Sequence, residues 1–236
     1  MERAAAADCV ALAFVGGLGG HRLVAPFGGA EGLLGPNPLA AGFPSESGQP
    51  IIVDFSTAEL PVGKVMVAAK AGRALPSQAL IDREGQPTDD PNALEAGGAM
   101  RTFGGHKGFG LAVLLELIGR VLLVTEAAGD GDLGGPSFRR HGLVLVVVAA
   151  DAFRDLPDVL AEAAALQADI NGVRPAAGFD RVLAPGQPEQ ASRARHSAQI
   201  PISAGTWSEI RETALDVGIA QAELPEAQPV STGAPA

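Results

Sequence analysis

The sequence RTFGGHKGFGLAVLLELIGRVLLV, residues 101–124, joins a glycine-rich loop to the longest apolar run of the chain. Apolar residues recur in it at three- and four-residue steps, which predicts a core helix from about Gly108. Residues 104–108 would then lie at the helix N-terminus, where backbone N–H groups without helical partners favour anions. Two interpretations stay open here: a cradle for an anionic ligand, or a tight turn that leads into a core helix.

Composition limits the classes of protein to which the chain can belong. The chain has 236 residues, 47% of them hydrophobic and 19% charged, which is enough for one substantial domain. Its net charge of −10 would repel a polyanion, so we expect no nucleic-acid partner. The single cysteine, Cys9, lies in an apolar run and predicts a buried thiol in a reducing cytoplasm.

The apolar run is too short and too charged to predict a membrane span, because it carries Glu116 and Arg120. These two residues lie four positions apart with the glutamate first, which favours an ion pair on an exposed helix stripe. We therefore expect a core helix and no membrane partner.

Periodicity and turn signals predict the remaining elements. Strands are predicted at residues 9–15, 51–55, 143–150, 179–183 and 200–202, of which 51–55 and 143–150 should be buried. Helices are predicted at residues 58–71, 157–170, 188–197 and 206–217, with Ser56 or Thr57 as the cap of the first and Thr206 or Ser208 near the cap of the last. Residues 220–236 are rich in proline, alanine and glutamine, and we expect disorder there.

Other motifs carry less information. The sequence GDGDLG at residues 129–134 matches G-x-G-x-x-G, but it follows a helix and its aspartates would repel a pyrophosphate. The four histidines are scattered, so we predict no metal site, and His106 alone lies in the glycine-rich loop. Asp54 ends a predicted strand, where it is either a cap partner or a ligand contact.

Five blocks of sequence point together to a known family. In chain order they are FGGAEGLLGPNPLAAGFP (27–44), IIVDFSTAELPVGKV (51–65), LIDREGQPTDDP (80–91), MRTFGGHKGFGLAVLLELI (100–118) and RVLAPGQPEQASR (181–193). Together they resemble the type 2 malate/L-lactate dehydrogenase family, which also contains ureidoglycolate, sulfolactate, diketogulonate and piperideine-2-carboxylate oxidoreductases. The resemblance covers residues 1–219, and it is specific because five separate blocks agree.

The resemblance implies an α/β (α+β) fold, with a largely antiparallel sheet packed by helices and a non-Rossmann NAD(P)-binding domain. That domain, with the remainder of a helical domain, would span residues 1–219, before a disordered tail at residues 220–236. The implied activity is hydride transfer between NAD or NADP and a small 2-oxo acid, 2-hydroxy acid or cyclic imino acid. A homodimer is expected, with the active site near the subunit boundary.

The resemblance also implies which residues contact the cofactor. They are Asp54, Phe55, Ser56, Gly104, Gly105, Lys107, Gly108, Pro185, Gly186 and Gln187. A strand-end carboxylate can accept a hydrogen bond from a hydroxyl or amide, glycine N–H groups can bind phosphate oxygens, and lysine can pair with an anion. Gln187 departs from the family pattern, which has glutamate at this position.

Other departures concern catalysis. The chain begins just after the region in which the family carries its acid/base histidine, so the resemblance implies an N-terminally truncated member. Since no residue here matches that proton donor, we assign no catalytic residue. The alternative is a catalytically inactive nucleotide-binding or structural remnant of the family. A truncated member should expose an apolar patch larger than a few hundred Å².

Overall fold

The computed structural model describes residues 1–17, 22–123 and 141–226. Two compact units divide the chain, Met1–Gln187 and Pro188–Ala236. The predicted domain boundary at residue 219 stays a prediction. The predicted tail lies partly outside the described residues, and its described part contains a short 3₁₀-helix at Gln221–Glu223.

The described strands belong to two sheets in the first unit. They are β1 (Cys9–Gly16), β2 (Pro38–Phe43), β3 (Ile51–Ser56), β4 (Leu80–Ile81), β5 (Pro87–Thr88), β6 (Ala99–Met100) and β7 (Gly142–Ala149). The larger sheet has the order β3-β2-β1-β7, the smaller one the order β5-β4-β6, and every pairing is antiparallel. The predicted antiparallel architecture is therefore confirmed.

The described α-helices are α1 (Glu2–Ala5), α2 (Val62–Lys70), α3 (His106–Glu116), α4 (Leu156–Gly172), α5 (Gln187–Arg195) and α6 (Ala204–Asp216). A π-helical segment, Leu117–Leu123, continues α3. No helix of the described residues is both long and apolar enough to cross a membrane. The main core lies between α2, α3 and the smaller sheet, around Val24, Val65, Leu80, Met100 and Ala112.

The predicted apolar stripe of α3 is only partly buried. Leu114 is 50% exposed and Leu122 72% exposed, whereas Ala112 and Leu115 are fully buried. The helix lies so close to the sheet that a Cβ atom added at Gly16 of β1 would collide with the Leu115 carbonyl. Small residues therefore form much of the buried face, because a large side chain would hold helix and sheet apart.

Strands β3 and β7 form where predicted, but the predictions that they are buried are wrong, because β3 has no buried residue and β7 has only Gly142. Among the described strands β7 lies at an edge of the larger sheet, and its residues Leu143, Leu145 and Val147 are each about half exposed or more, at 60%, 57% and 49%. These three residues pair with alternate residues of β1 and so share one face of the sheet. These apolar side chains are exposed within the described structure, and the predicted area of the apolar patch stays a prediction.

Two predicted short strands are absent from the described structure. At residues 179–183 no ladder forms, and the next amide, Ala184 N–H, donates instead to the side-chain oxygens of Asn171 and Gln187 at 3.2 and 2.8 Å. At residues 200–202, Pro201 has no N–H to offer to a neighbouring strand.

The predicted cap of α2 is wrong, whereas Thr206 lies near the cap of α6, as predicted. Helix α2 begins at Val62 after an extended Pro61 and has no side-chain cap, while the Thr57 hydroxyl donates to the Pro36 carbonyl at 3.0 Å. The cap of α6 is Ser203, whose hydroxyl oxygen accepts from the Thr206 N–H at 3.2 Å.

Removing the cap of α6 should loosen its first turn. In Ser203→Ala the Thr206 N–H loses its acceptor, which typically costs a helix about 1 kcal/mol. We expect hydrogen exchange of the Thr206 amide to become about fivefold faster. Ser203→Asp is the control, because aspartate keeps an oxygen acceptor at the cap. Equal exchange in the alanine and aspartate variants would contradict the assignment of this cap.

Candidate functional site

The end of β3 lies against the segment that leads into the glycine-rich loop. The Phe103 N–H donates to the Thr57 carbonyl at 3.1 Å, and Ala58 and Thr102 form a β-bridge. The rings of Phe55 and Phe103 meet edge to face, with centroids 5.4 Å apart and an interplanar angle of 89°. Asp54, Phe55 and Ser56 therefore end in the neighbourhood of Gly104.

The glycine-rich loop presents bare backbone. Gly104 and Gly105 have φ values of +57° and +61°, which glycine adopts without strain. A Cβ atom at Gly104 would meet nothing within 4 Å, so the space beside this backbone is open. Helix α3 begins at His106 without a side-chain cap, and the Lys107 N–H donates to the Gly104 carbonyl at 3.4 Å. The positive end of the helix dipole at this terminus favours an anion.

Two charged side chains of the site have no protein partner among the described residues. Asp54 and Lys107 are both exposed, and within the described chain neither makes an ion pair or a side-chain hydrogen bond. A carboxylate at the end of β3 and an ammonium group in the first turn of α3 are thus available to a ligand. An ammonium group attracts phosphates, and a carboxylate accepts hydrogen bonds from hydroxyl groups.

The turn at Pro185 and Gly186 lies on the outer edge of β3. The Ile52 N–H donates to the Pro185 carbonyl at 3.3 Å. Gly186 has φ +90°, and a Cβ atom there would lie 3.1 Å from the Ile52 Cβ atom. The turn therefore contacts β3 two residues before Asp54, whereas Phe103 contacts Phe55 of the same strand.

Gln187, the residue that departs from the family pattern, has a structural partner. Its side-chain oxygen accepts from the Ala184 N–H at 2.8 Å and so closes the turn before α5. A glutamine keeps the acceptor that this N–H requires, without placing a negative charge there. The predicted contact between Gln187 and the cofactor remains a prediction.

A cavity of about 270 Å³ lies beside Gly105, and no motif of the sequence indicates it. Its walls include Phe27, Gly85, Arg101 and Thr102. The Arg101 guanidinium donates to the Gln78 carbonyl at 2.7 Å. These segments are far apart in the sequence, which explains why periodicity did not reveal the cavity.

The histidines of the described chain do not form a metal site. The His106 ring meets the Phe27 ring edge to face at 5.9 Å, and His196 Nδ1 lies 3.2 Å from the Ser192 hydroxyl. No group of three or more histidine, cysteine or acidic residues in the described ranges could bind a metal ion. His21 and the GDGDLG motif lie outside the described residues.

Comparison with known proteins identifies the family. The sequence profile described as "Malate/L-lactate dehydrogenase" matches residues 1–211. The chain belongs to this family. The resemblance seen in the five sequence blocks is therefore confirmed, and the malate/L-lactate dehydrogenase family is a family of oxidoreductases.

Individual members of the malate/L-lactate dehydrogenase family agree in sequence and in structure. An L-lactate dehydrogenase from Cupriavidus necator is 34% identical over 223 residues, covering 93% of this chain and 63% of the relative. A Δ1-piperideine-2-carboxylate reductase from Pseudomonas syringae superposes with a TM-score of 0.70 at 31% identity, covering 89% of this chain and 62% of that chain. For a sulfolactate dehydrogenase from Methanocaldococcus jannaschii the TM-score is 0.75 at 25% identity, with 92% and 62% covered. The chain thus spans less than two thirds of the length of each of these relatives.

Proposed function

We propose that the chain forms the cofactor-binding part of an NAD(P)-dependent oxidoreductase that acts on a small 2-oxo or 2-hydroxy acid. The observation that supports the proposal is that two of the predicted segments contact β3: Phe103, which precedes the glycine-rich loop, contacts Phe55, and the Pro185–Gly186 turn contacts Ile52. Membership of the malate/L-lactate dehydrogenase family supplies the class of reaction.

The residues of this chain would bind and orient the cofactor. The Lys107 ammonium group and the N-terminal end of α3 would hold phosphate oxygens, because both present positive charge to an anion. Asp54 would accept a hydrogen bond from a hydroxyl or carboxamide group. The nicotinamide ring supplies the hydride when the cofactor is bound. No residue of the chain is assigned as the donor of the proton that accompanies hydride transfer.

The substrates of named relatives support the proposed substrate class. The Cupriavidus protein is a lactate dehydrogenase and the Methanocaldococcus protein a sulfolactate dehydrogenase. We also propose a homodimer, for which the exposed apolar residues of β7 offer a surface.

The direct test is titration of the purified chain with NADPH and NADH while nicotinamide fluorescence is recorded. We expect saturable binding of at least one of the two. A flat signal at millimolar concentrations of both would overturn the proposal of a cofactor site. A parallel assay with a panel of 2-oxo acids separates binding from turnover.

The same titration tests the role of Lys107. Lys107→Ala removes the ammonium group in the first turn of α3, and loss of a charge-assisted contact to phosphate should weaken binding about tenfold. Lys70→Ala serves as the control. It also removes one lysine charge, but at the end of α2, which is a different segment of the sequence from the glycine-rich loop. Equal dissociation constants for the two variants would show that Lys107 is not a cofactor contact.

A further inference from the structure

Glu116 is a largely buried carboxylate for which the proposed reaction has no use. It was predicted to pair with Arg120 on an exposed stripe, and the pair exists at 3.7 Å, but only 13% of the Glu116 side chain is exposed, against 66% for Arg120. The other oxygen, Oε2, accepts from the Gly17 N–H at 3.2 Å and from the Asn37 side-chain amide at 3.0 Å. The exposed arginine contributes little, so the buried contacts define the role of the carboxylate.

Asn37 has an unusual environment of its own. It is fully buried, and its φ of +25° is uncommon for a residue other than glycine. Its amide nitrogen donates to Glu116 and to the Ala112 carbonyl, at 2.9 Å for the latter, whereas its Oδ1 atom is buried and has no hydrogen-bond partner among the described residues. Backbone strain and an unsatisfied buried acceptor both cost stability, and such features concentrate at functional sites.

These contacts join the end of β1 to the proposed cofactor site. Gly17 follows β1, and Asn37 immediately precedes Pro38, which pairs with Ser56 of β3. The neighbouring Pro36 carbonyl accepts from the Thr57 N–H at 2.8 Å. Thr57 in turn binds Phe103, beside the glycine-rich loop. Glu116 and Asn37 therefore connect α3, the backbone after β1 and the end of β3 at one end of the sheet.

We propose that Glu116 and Asn37 act as a pair of positioning residues, which fix the backbone at Gly17 and thereby shape the adjoining end of the cofactor site. This inference rests on the proposed function. The pair costs the fold the desolvation of a carboxylate and of an amide oxygen. In exchange, the backbone at Gly17 is held in one conformation. The Gly17 N–H donates to Glu116, and the Asn37 amide donates to the same carboxylate oxygen.

Variants of Glu116 separate the acceptor from the charge. Glu116→Met removes both oxygens, so the Gly17 N–H and the Asn37 amide lose their acceptor. Glu116→Gln keeps one oxygen that can receive both hydrogen bonds and serves as the matched control. Asn37→Gly removes the other side chain while tolerating the positive φ. Leu80→Ala, at a fully buried position in the smaller sheet, supplies a control for lost stability alone.

Two readouts are required: hydrogen exchange of the Gly17 amide, and the dissociation constant for NADPH or NADH. We expect Glu116→Met and Asn37→Gly to accelerate exchange at Gly17 and to weaken cofactor binding, each about tenfold. Glu116→Gln should stay within about twofold of the natural chain in both readouts. Leu80→Ala should lower the thermal midpoint but leave the dissociation constant of the folded protein unchanged.

The outcomes distinguish this inference from the proposed function. Unchanged exchange at Gly17 in Glu116→Met overturns the pair, whether or not a cofactor binds. Faster exchange with unchanged affinity overturns the effect on the cofactor site and leaves only a structural role. If the natural chain binds neither cofactor, the proposed function fails together with the positioning of its site, while exchange at Gly17 still decides whether the pair fixes the backbone.

Discussion

Replacing Gly16 by valine is expected to destabilise the first unit by about 3 kcal/mol or more. A Cβ atom at Gly16 would collide with the backbone carbonyl of Leu115. A Cβ atom at Gly119 would collide with the backbone of Gly16, and one at Gly142 with the backbone of Gly119. Three glycines thus allow α3 and its π-helical continuation to contact the ends of β1 and β7. Backbone atoms cannot rotate aside as a side chain can, so the helix itself would have to move.

Thermal and denaturant unfolding of the full chain measure this effect. For a protein of this size, 3 kcal/mol corresponds to a fall in the thermal midpoint of roughly 6–12 °C. Gly63→Ala is the control, because it lies in α2, and a Cβ atom there would meet nothing within 4 Å. Alanine also suits a helix better than glycine, so this variant should keep or raise the midpoint. A Gly16→Val midpoint within two degrees of the control would contradict the close contact.

The glycine contact illustrates what the sequence could predict. Apolar periodicity located β1, β3, β7 and the body of α3, because these runs are long and bounded by turn residues. Periodicity describes one element at a time, however. It identified the leucines of α3 as the buried stripe, and it could not show that a neighbouring backbone approaches at Gly119. The apolar residues of β7 likewise predicted a strand but not which of its faces would be covered.

The candidate site shows the same contrast: local patterns are visible in the sequence, whereas contacts between distant residues are not. Glycines before an apolar helix indicate a loop locally, and the dipeptide Pro185-Gly186 indicates a turn. The contact of that turn with the cofactor is implied only by the family resemblance. The Asn37–Glu116 contact joins residues 79 positions apart, which no local pattern reveals. Two weak signals were present: an asparagine between two prolines, and a carboxylate within an apolar run. The spacing of Glu116 and Arg120 on a helix predicts an exposed ion pair, which hides the buried contacts of the Glu116 carboxylate.

Gly108→Ala should move the glycine-rich loop away from the end of β3, and these are two parts of the proposed cofactor site. A Cβ atom at Gly108 would collide with the Phe103 carbonyl oxygen and would lie 3.0 Å from the Phe103 carbonyl carbon and 3.3 Å from its nitrogen. Phe103 is the residue whose N–H binds Thr57 and whose ring meets Phe55. Relief of the collision would therefore displace the glycine-rich loop from the end of β3, and we expect the cofactor dissociation constant to rise at least about tenfold.

Gly110→Ala is the matched control for this variant. It lies two residues further along α3, where a Cβ atom would meet nothing within 4 Å, and alanine should stabilise the helix slightly. Both variants are to be titrated with NADPH and NADH under conditions in which circular dichroism shows them to be folded. Because both changes add one methyl group to the same helix, a difference in affinity between them reports the position of the loop. Affinities within about twofold of each other would mean that the contact between Gly108 and Phe103 does not hold the site together.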